Sequence, residues 1–139
     1  MTTVAVSGGF DPIHMGHVRL LQEARTHGDR LVVIVHPDSW LLRKKGFVFM
    51  PYAERREILL AITGVERVVE AIDHGEYSCW ETLQQLRPDV FCNGGDQTHI
   101  AQKEVMVVEQ YGGRCVYGVG GGKIQSSSTL AKQCQSVPR

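Results

Sequence analysis

The run Gly8-Gly9-Phe10-Asp11-Pro12-Ile13-His14-Met15-Gly16-His17 is the part of the chain best supplied for chemistry. Gly8 and Gly9 permit tight turning and close approach of backbone to a ligand. A helix opening near Gly16 presents unpaired N–H groups and the positive end of its dipole, which favour phosphate. His14 and His17 are then three residues apart on one crevice, where both imidazoles can donate hydrogen bonds to charge developing on a phosphate. Two histidines this close could also bind a metal, but Asp11 is the one nearby third ligand and no metal site is expected. Two solvated loop histidines are the plainer alternative. The loop is not G-x-G-x-x-G, and Gly118 to Lys123 misses the Walker A spacing, with Ile124 where Ser or Thr belongs. Hydride-transfer enzymes and P-loop ATPases are therefore disfavoured.

Two further places suit an anion. Tyr52, Arg55, Leu59 and Ile62 share one stripe of a helix, so Arg55 stands where an apolar residue is expected and needs a partner. Its planar fork can reach a phosphate, whereas Arg56, about 100° round the helix, is expected in solvent. Ser126-Ser127-Ser128-Thr129 follows a glycine patch, Gly118 and Gly120 to Gly122, and opens the last helix. Hydroxyls, free N–H groups and the helix dipole together favour phosphate oxygens there; simple capping would need only one serine.

These residues need a frame. Short β-branched runs alternate with longer amphipathic stretches, the pattern of βα units around a parallel sheet. Strands are expected at residues 3–7, 30–36, 66–71, 89–93 and 114–119, and helices at 16–27, 51–62, 78–86, 98–111 and 126–135. Gly28 and Gly112 close two of the helices, Pro51 suits a first turn, Ser78 with Glu81 makes a capping box, and Thr98 is a candidate cap. The expected fold is α/β, a single Rossmann-like doubly wound domain over residues 1–139 with a five-stranded parallel sheet in the order 3-2-1-4-5. Right-handed crossovers then put the ends of the first and fourth strands side by side at the switch point, where a ligand crevice belongs.

The composition agrees with one globular domain: 139 residues, 42% hydrophobic and 22% charged. Lys plus Arg (15) equals Asp plus Glu (15), so no basic excess points to nucleic acid, and any anion must be held by a local cluster. Cys79, Cys92, Cys115 and Cys134 lie far apart and read as reduced structural thiols. The N-terminal apolar run is too short for a signal peptide and no segment approaches a membrane span, so a cytoplasmic location is expected.

Gly9 to His17 resembles the H-x-G-H signature of the cytidylyltransferase-like nucleotidyltransferases, and the similarity runs nearly the full length. It is nearest to small members such as glycerol-3-phosphate cytidylyltransferase and the heptose-phosphate adenylyltransferase domain. The resemblance implies an enzyme that transfers a nucleoside monophosphate from an NTP to a small phosphorylated acceptor, releasing pyrophosphate. CTP is placed slightly ahead of ATP, and glycerol 3-phosphate or a sugar phosphate leads as acceptor. Mg2+ accompanies the triphosphate, and a homodimer is expected. By the same resemblance, Lys44 or Lys45 in Arg43-Lys44-Lys45-Gly46 and Arg55 contact phosphates beside His14 and His17. The nucleotide is expected against Gly8, Gly9, Phe10, Asp11 and Gly16, the turn Asn93-Gly94-Gly95-Asp96, and Ser126, Ser127 and Ser128. Asp11 is expected to arrange the first loop or the metal, and Asp96 to orient the ribose. Relatives often carry an Arg before the serine segment; here Lys123 fills that space. The other readings are an ATP-dependent adenylyltransferase acting on heptose phosphate or a coenzyme precursor, and a nucleotide-binding sensor without turnover.

Overall fold

The computed structural model describes residues 1–94 and 100–120. Its elements are β1 (Thr3–Gly8), α1 (Met15–Ala24), a 3-10 turn (Arg25–His27), β2 (Arg30–Val35), α2 (Asp38–Lys45), α3 (Tyr52–Leu60), β3 (Val65–Glu70), α4 (Trp80–Leu86), β4 (Val90–Cys92), α5 (Gln102–Gln110) and β5 (Arg114–Val116). The strands form one parallel sheet in the order β3-β2-β1-β4-β5, as expected. Alternate strand residues face opposite sides, so each apolar run feeds two cores. Val4, Val6, Leu31 and Val33 meet Leu21 and Ala24 of α1 and Leu59 of α3 on one face. Ala5, Ile34 and Phe91 meet Trp40 of α2, Leu83 of α4, and Val107 and Val108 of α5 on the other.

The local boundaries bring corrections. The basic run Arg43-Lys44-Lys45, which falls between the strand expected at 30–36 and the helix expected at 51–62, is the last turn of α2, which Gly46 closes in the left-handed region at φ 86°. Cations there face the negative end of the helix dipole. Ser78 does not cap α4, which begins at Trp80 after Cys79. Its hydroxyl instead donates to the buried Glu104 carboxylate at 2.8 Å, and the same oxygen accepts the Cys79 N–H at 2.8 Å. Burying that carboxylate requires both donors, so the Ser78 proton goes to Glu104, while its oxygen still accepts the Trp80 N–H at 3.4 Å. α5 starts at Gln102 with Ala101 before it, later than expected, and Thr98 lies outside the described residues. β5 stops at Val116 because the chain turns at Gly118, φ 69°, and the Val119 N–H donates back to the Asn93 carbonyl at 3.1 Å. The helix expected at 126–135 and Cys134 also lie outside the described residues. Cys79 and Cys92 are buried free thiols and Cys115 a partly buried one; burial pushes Cys92 and Cys115 up to about 11. Among the described residues no helix is long and apolar enough to cross a membrane.

Candidate active site

Between the end of β1 and the start of α1 the chain crosses the C-terminal edge of the sheet, where β1 lies between β2 and β4. This is the switch point of a doubly wound sheet. His14 is the N-cap of α1, and its Nδ1 accepts the Gly16 N–H at 3.1 Å. His17 answers, its Nδ1 accepting the His14 N–H at 3.2 Å. Two histidines thus build the reciprocal capping box that Ser or Thr and Glu more often make. An Nδ1 that accepts carries no proton, so each neutral ring holds its proton on Nε2 and is a donor there. The rings stack with centroids 3.9 Å apart, and burial first, then the neighbouring His14, lowers His17 to about 3. Gly16 is required: a Cβ there would lie 2.9 Å from His14 Cε1. The arrangement can offer two Nε2–H donors to an oxyanion, and His17 stays neutral near neutral pH.

Phe10 sits in the left-handed region at φ 53°, with its ring 1% exposed in the core and edge-on to His17 at 4.8 Å. Expected at the nucleotide, its ring instead supports the loop from below, because an aromatic beneath Gly8 is worth more buried than exposed. Asp11 is also fully buried. Its carboxylate accepts the N–H groups of Phe49 and Met50, and Lys45 Nζ stands 3.4 Å from Oδ2 and 3.0 Å from the Asp11 carbonyl. Asp11 therefore fastens the segment between α2 and α3 to the first loop. With both oxygens engaged, it offers no ready position to a metal.

Arg55, expected on a phosphate, is the main correction. It has no exposed surface. Nε donates to the Met50 carbonyl at 2.9 Å, Nη1 to the Gly9 and His36 carbonyls at 2.7 Å each, and Nη2 to Asp38 at 2.6 Å. Its place beside Leu59 on the buried stripe of α3 aims the fork at the strand ends instead of the crevice. The guanidinium holds the exits of β1 and β2 together. Arg56 is exposed, as expected.

The two candidate lysines diverge. Lys45 reaches the first loop, while Lys44 Nζ stands 5.9 Å from the Tyr77 ring centroid. On the other flank, the Asn93 N–H donates to the Val116 carbonyl at 2.9 Å, and Gly94 lies against Val119 and Leu20. The Gly120 N–H donates to the Glu23 carboxylate of α1. Gly120 is therefore held against α1. Asp96, Lys123, Ser126, Ser127 and Ser128 lie outside the described residues.

Sequence reasoning missed His36. Its N–H donates to the Gly8 carbonyl at 3.0 Å and its ring stacks on Trp40 at 3.9 Å. Burial first, then Lys44, Arg55 and Lys45, lower it to about 3. The available signal was its place just past an apolar strand, beside the switch point.

A family model described as cytidylyltransferase-like matches residues 5–117. The chain is 39% identical over 117 residues to the bifunctional protein HldE of Streptomyces coelicolor, covering 83% of this chain and 25% of that protein. Against the HldE of Geotalea uraniireducens it is 44% identical over 115 residues, covering 80% of this chain and 22% of that protein. The chain thus spans about a quarter of the length of these curated relatives. The lipopolysaccharide core biosynthesis protein from Thermoplasma volcanium GSS1 matches with TM-score 0.71 at 25% identity, covering 88% of this chain and 99% of that one.

Proposed function

Since the chain belongs to the cytidylyltransferase-like family, we propose that it transfers the AMP unit of ATP to a sugar phosphate, heptose phosphate foremost, and releases pyrophosphate. The likeness to HldE proteins supports adenylyl transfer to heptose phosphate over the CMP transfer placed first from the sequence. The observation that carries the reading is the histidine capping box at the switch point, with both ring protons on Nε2.

An oxygen of the acceptor phosphate attacks the α-phosphorus in line. The bond to the bridging oxygen breaks, and pyrophosphate leaves with the electron pair. His14 and His17 donate to the α-phosphate and bridging oxygens, whose charge grows in the transition state. His17 remains neutral throughout. Gly8, Gly9 and Gly16 let the triphosphate approach the backbone, and Lys45 is the cation that α2 brings to the loop. Asn93, Gly94 and Asp96 flank the nucleoside, while Lys123, Ser126, Ser127 and Ser128 take the β and γ groups. Magnesium enters on the triphosphate as part of the substrate. A homodimer belongs to the same proposal, and light scattering at working concentration checks it.

The test is pyrophosphate release from ATP and from CTP, each with heptose 1-phosphate and glycerol 3-phosphate. The expected result is turnover with ATP and heptose 1-phosphate, reduced about 100-fold or more in the His14→Ala/His17→Ala variant. Unchanged turnover in that variant overturns the mechanism, a preference for CTP overturns the choice of base, and nucleotide binding without release across all acceptors returns the sensor reading.

A further inference from the structure

Three charged side chains are buried among the described residues: Asp11, Arg55 and Glu104. Asp11 and Arg55 fasten the first loop to the α2 and α3 side of the molecule. Glu104, the third residue of α5, belongs to the opposite face of the sheet, and the mechanism above leaves it unused. Its Oε2 accepts both the Ser78 hydroxyl and the Cys79 N–H, each at 2.8 Å. The buried Cys79 thiol is in turn hydrogen-bonded with the Glu104 carboxylate and with the Ser7 hydroxyl. Burial first, then the Glu104 charge, push that thiol well above its ordinary value, so the sulfur keeps its proton and can give it to a partner.

These groups stand at the roots of three separate connections. Ser7 is the last residue but one of β1, directly before the glycines of the first loop. Ser78 and Cys79 end the segment that runs from β3 to α4. Glu104 lies in the first turn of α5, which follows the chain leaving β4 through Asn93 and Gly94. Ile100, just before α5, is buried in the same core as Cys79. Apolar side chains alone could fill this space, and burying a carboxylate carries a desolvation cost that they avoid. What the carboxylate adds is direction: charge-assisted bonds fix distance and angle, whereas dispersion contacts let elements slide. In-line transfer depends on such spacing, because a misplacement of about 1 Å can cost about 100-fold in rate.

Resting on the reading of the chain as a nucleotidyltransferase, we propose that Glu104 is a positioning residue that sets the spacing between the first loop, which carries His14 and His17, and the chain after β4, which flanks the nucleoside. It acts through Ser78 and Cys79, and Cys79 passes the constraint to Ser7 at the root of the first loop. Glu104 touches no substrate. Its effect falls on the alignment of the bound nucleotide with the two histidines, and so on the rate of transfer, while affinity for ATP is largely kept.

Three variants of the full chain test this. Glu104→Leu keeps the volume and removes the acceptor, Glu104→Gln keeps an oxygen able to accept both bonds, and Ser78→Ala removes one donor. With ATP and heptose 1-phosphate, Glu104→Leu should lower kcat for pyrophosphate release about tenfold or more, with KM for ATP held within about threefold. Glu104→Gln should regain most of the rate. Circular dichroism at the assay temperature checks folding; where Glu104→Leu does not fold, Ser78→Ala carries the test, with kcat lowered about threefold or more. An unchanged kcat in the folded variant overturns the proposal, as does a change in KM alone or a Glu104→Gln rate no better than that of Glu104→Leu. Amide hydrogen exchange needs no turnover: the same variant should exchange about tenfold faster or more at residues 7–10 and 91–94, and Glu104→Gln close to the unaltered rate. Faster exchange confined to α4 and α5 overturns the proposal, whatever the turnover. Exchange that spreads as expected in a protein that releases no pyrophosphate sinks only the underlying reading.

Discussion

Removing a guanidinium that makes four hydrogen bonds out of contact with water leaves carbonyls without partners in a dry place, and that cost exceeds the worth of the bonds themselves. Arg55→Met should therefore destabilise the protein by about 3–5 kcal/mol in urea unfolding. Arg55→Lys should recover little, because one ammonium cannot span Gly9, His36, Met50 and Asp38 at once. A loss near zero for either variant would contradict the clamp. His17 and His36 give a second residue-level expectation. Both are lowered to about 3 in the folded protein, whereas in the unfolded chain they take up protons near the ordinary histidine value of 6.5. Between those values the unfolded state binds more protons, so stability falls as pH drops, by up to about 1.4 kcal/mol per pH unit for each ring. Urea midpoints should rise from about pH 4.5 to 6.5 and level off above, and His36→Gln should remove about half of the slope. A flat profile in the unaltered protein would mean that neither ring is held neutral. The sequence showed that Arg55 interrupts an apolar stripe and needs a partner. It could not show which partner, because phosphate and strand-end carbonyls offer a guanidinium the same oxygens.

At the scale of elements, the start of α1 and the end of α2 decide where the reactive side chains stand. Gly16→Ala would press a methyl against the His14 ring, which must then give up its bond to the residue 16 N–H. Losing the cap costs about 1 kcal/mol. Because the same ring faces the phosphate, pyrophosphate release should fall about tenfold or more, beyond what that loss of stability explains; parallel rate and unfolding measurements separate the two, and an unchanged rate would break the link between cap and chemistry. The strands were legible because uninterrupted runs such as Leu31 to Val35 announce cover on both faces. α2 was not. Its residues Asp38–Lys45 end in three cations and bury only Trp40 and Leu41, so no helical period rises above the charge. The histidine capping box was hidden for a related reason: spacing puts two imidazoles on one crevice but cannot say that each ring also bonds the other's turn.

Across the whole molecule the sheet order puts every described candidate at one edge of the strands, and that order was readable because right-handed crossovers leave few alternatives. The formal net charge is zero, while Arg43, Lys44 and Lys45 end α2 and Lys45 reaches the first loop. ATP should therefore be drawn by a local field that salt screens. Raising ionic strength from about 0.05 to 0.5 M should increase KM for ATP several-fold and move the urea midpoint little; a KM indifferent to salt would deny the field a part in capture. The opening of α1 also bears on descent. Since the same pair of rings both begins a helix and addresses the substrate, mutational drift cannot erase the chemistry and spare the architecture. A descendant that kept only nucleotide binding would need a replacement such as Ser, Thr or Asp at position 14, so loss of turnover in this lineage should be visible as a rebuilt helix start.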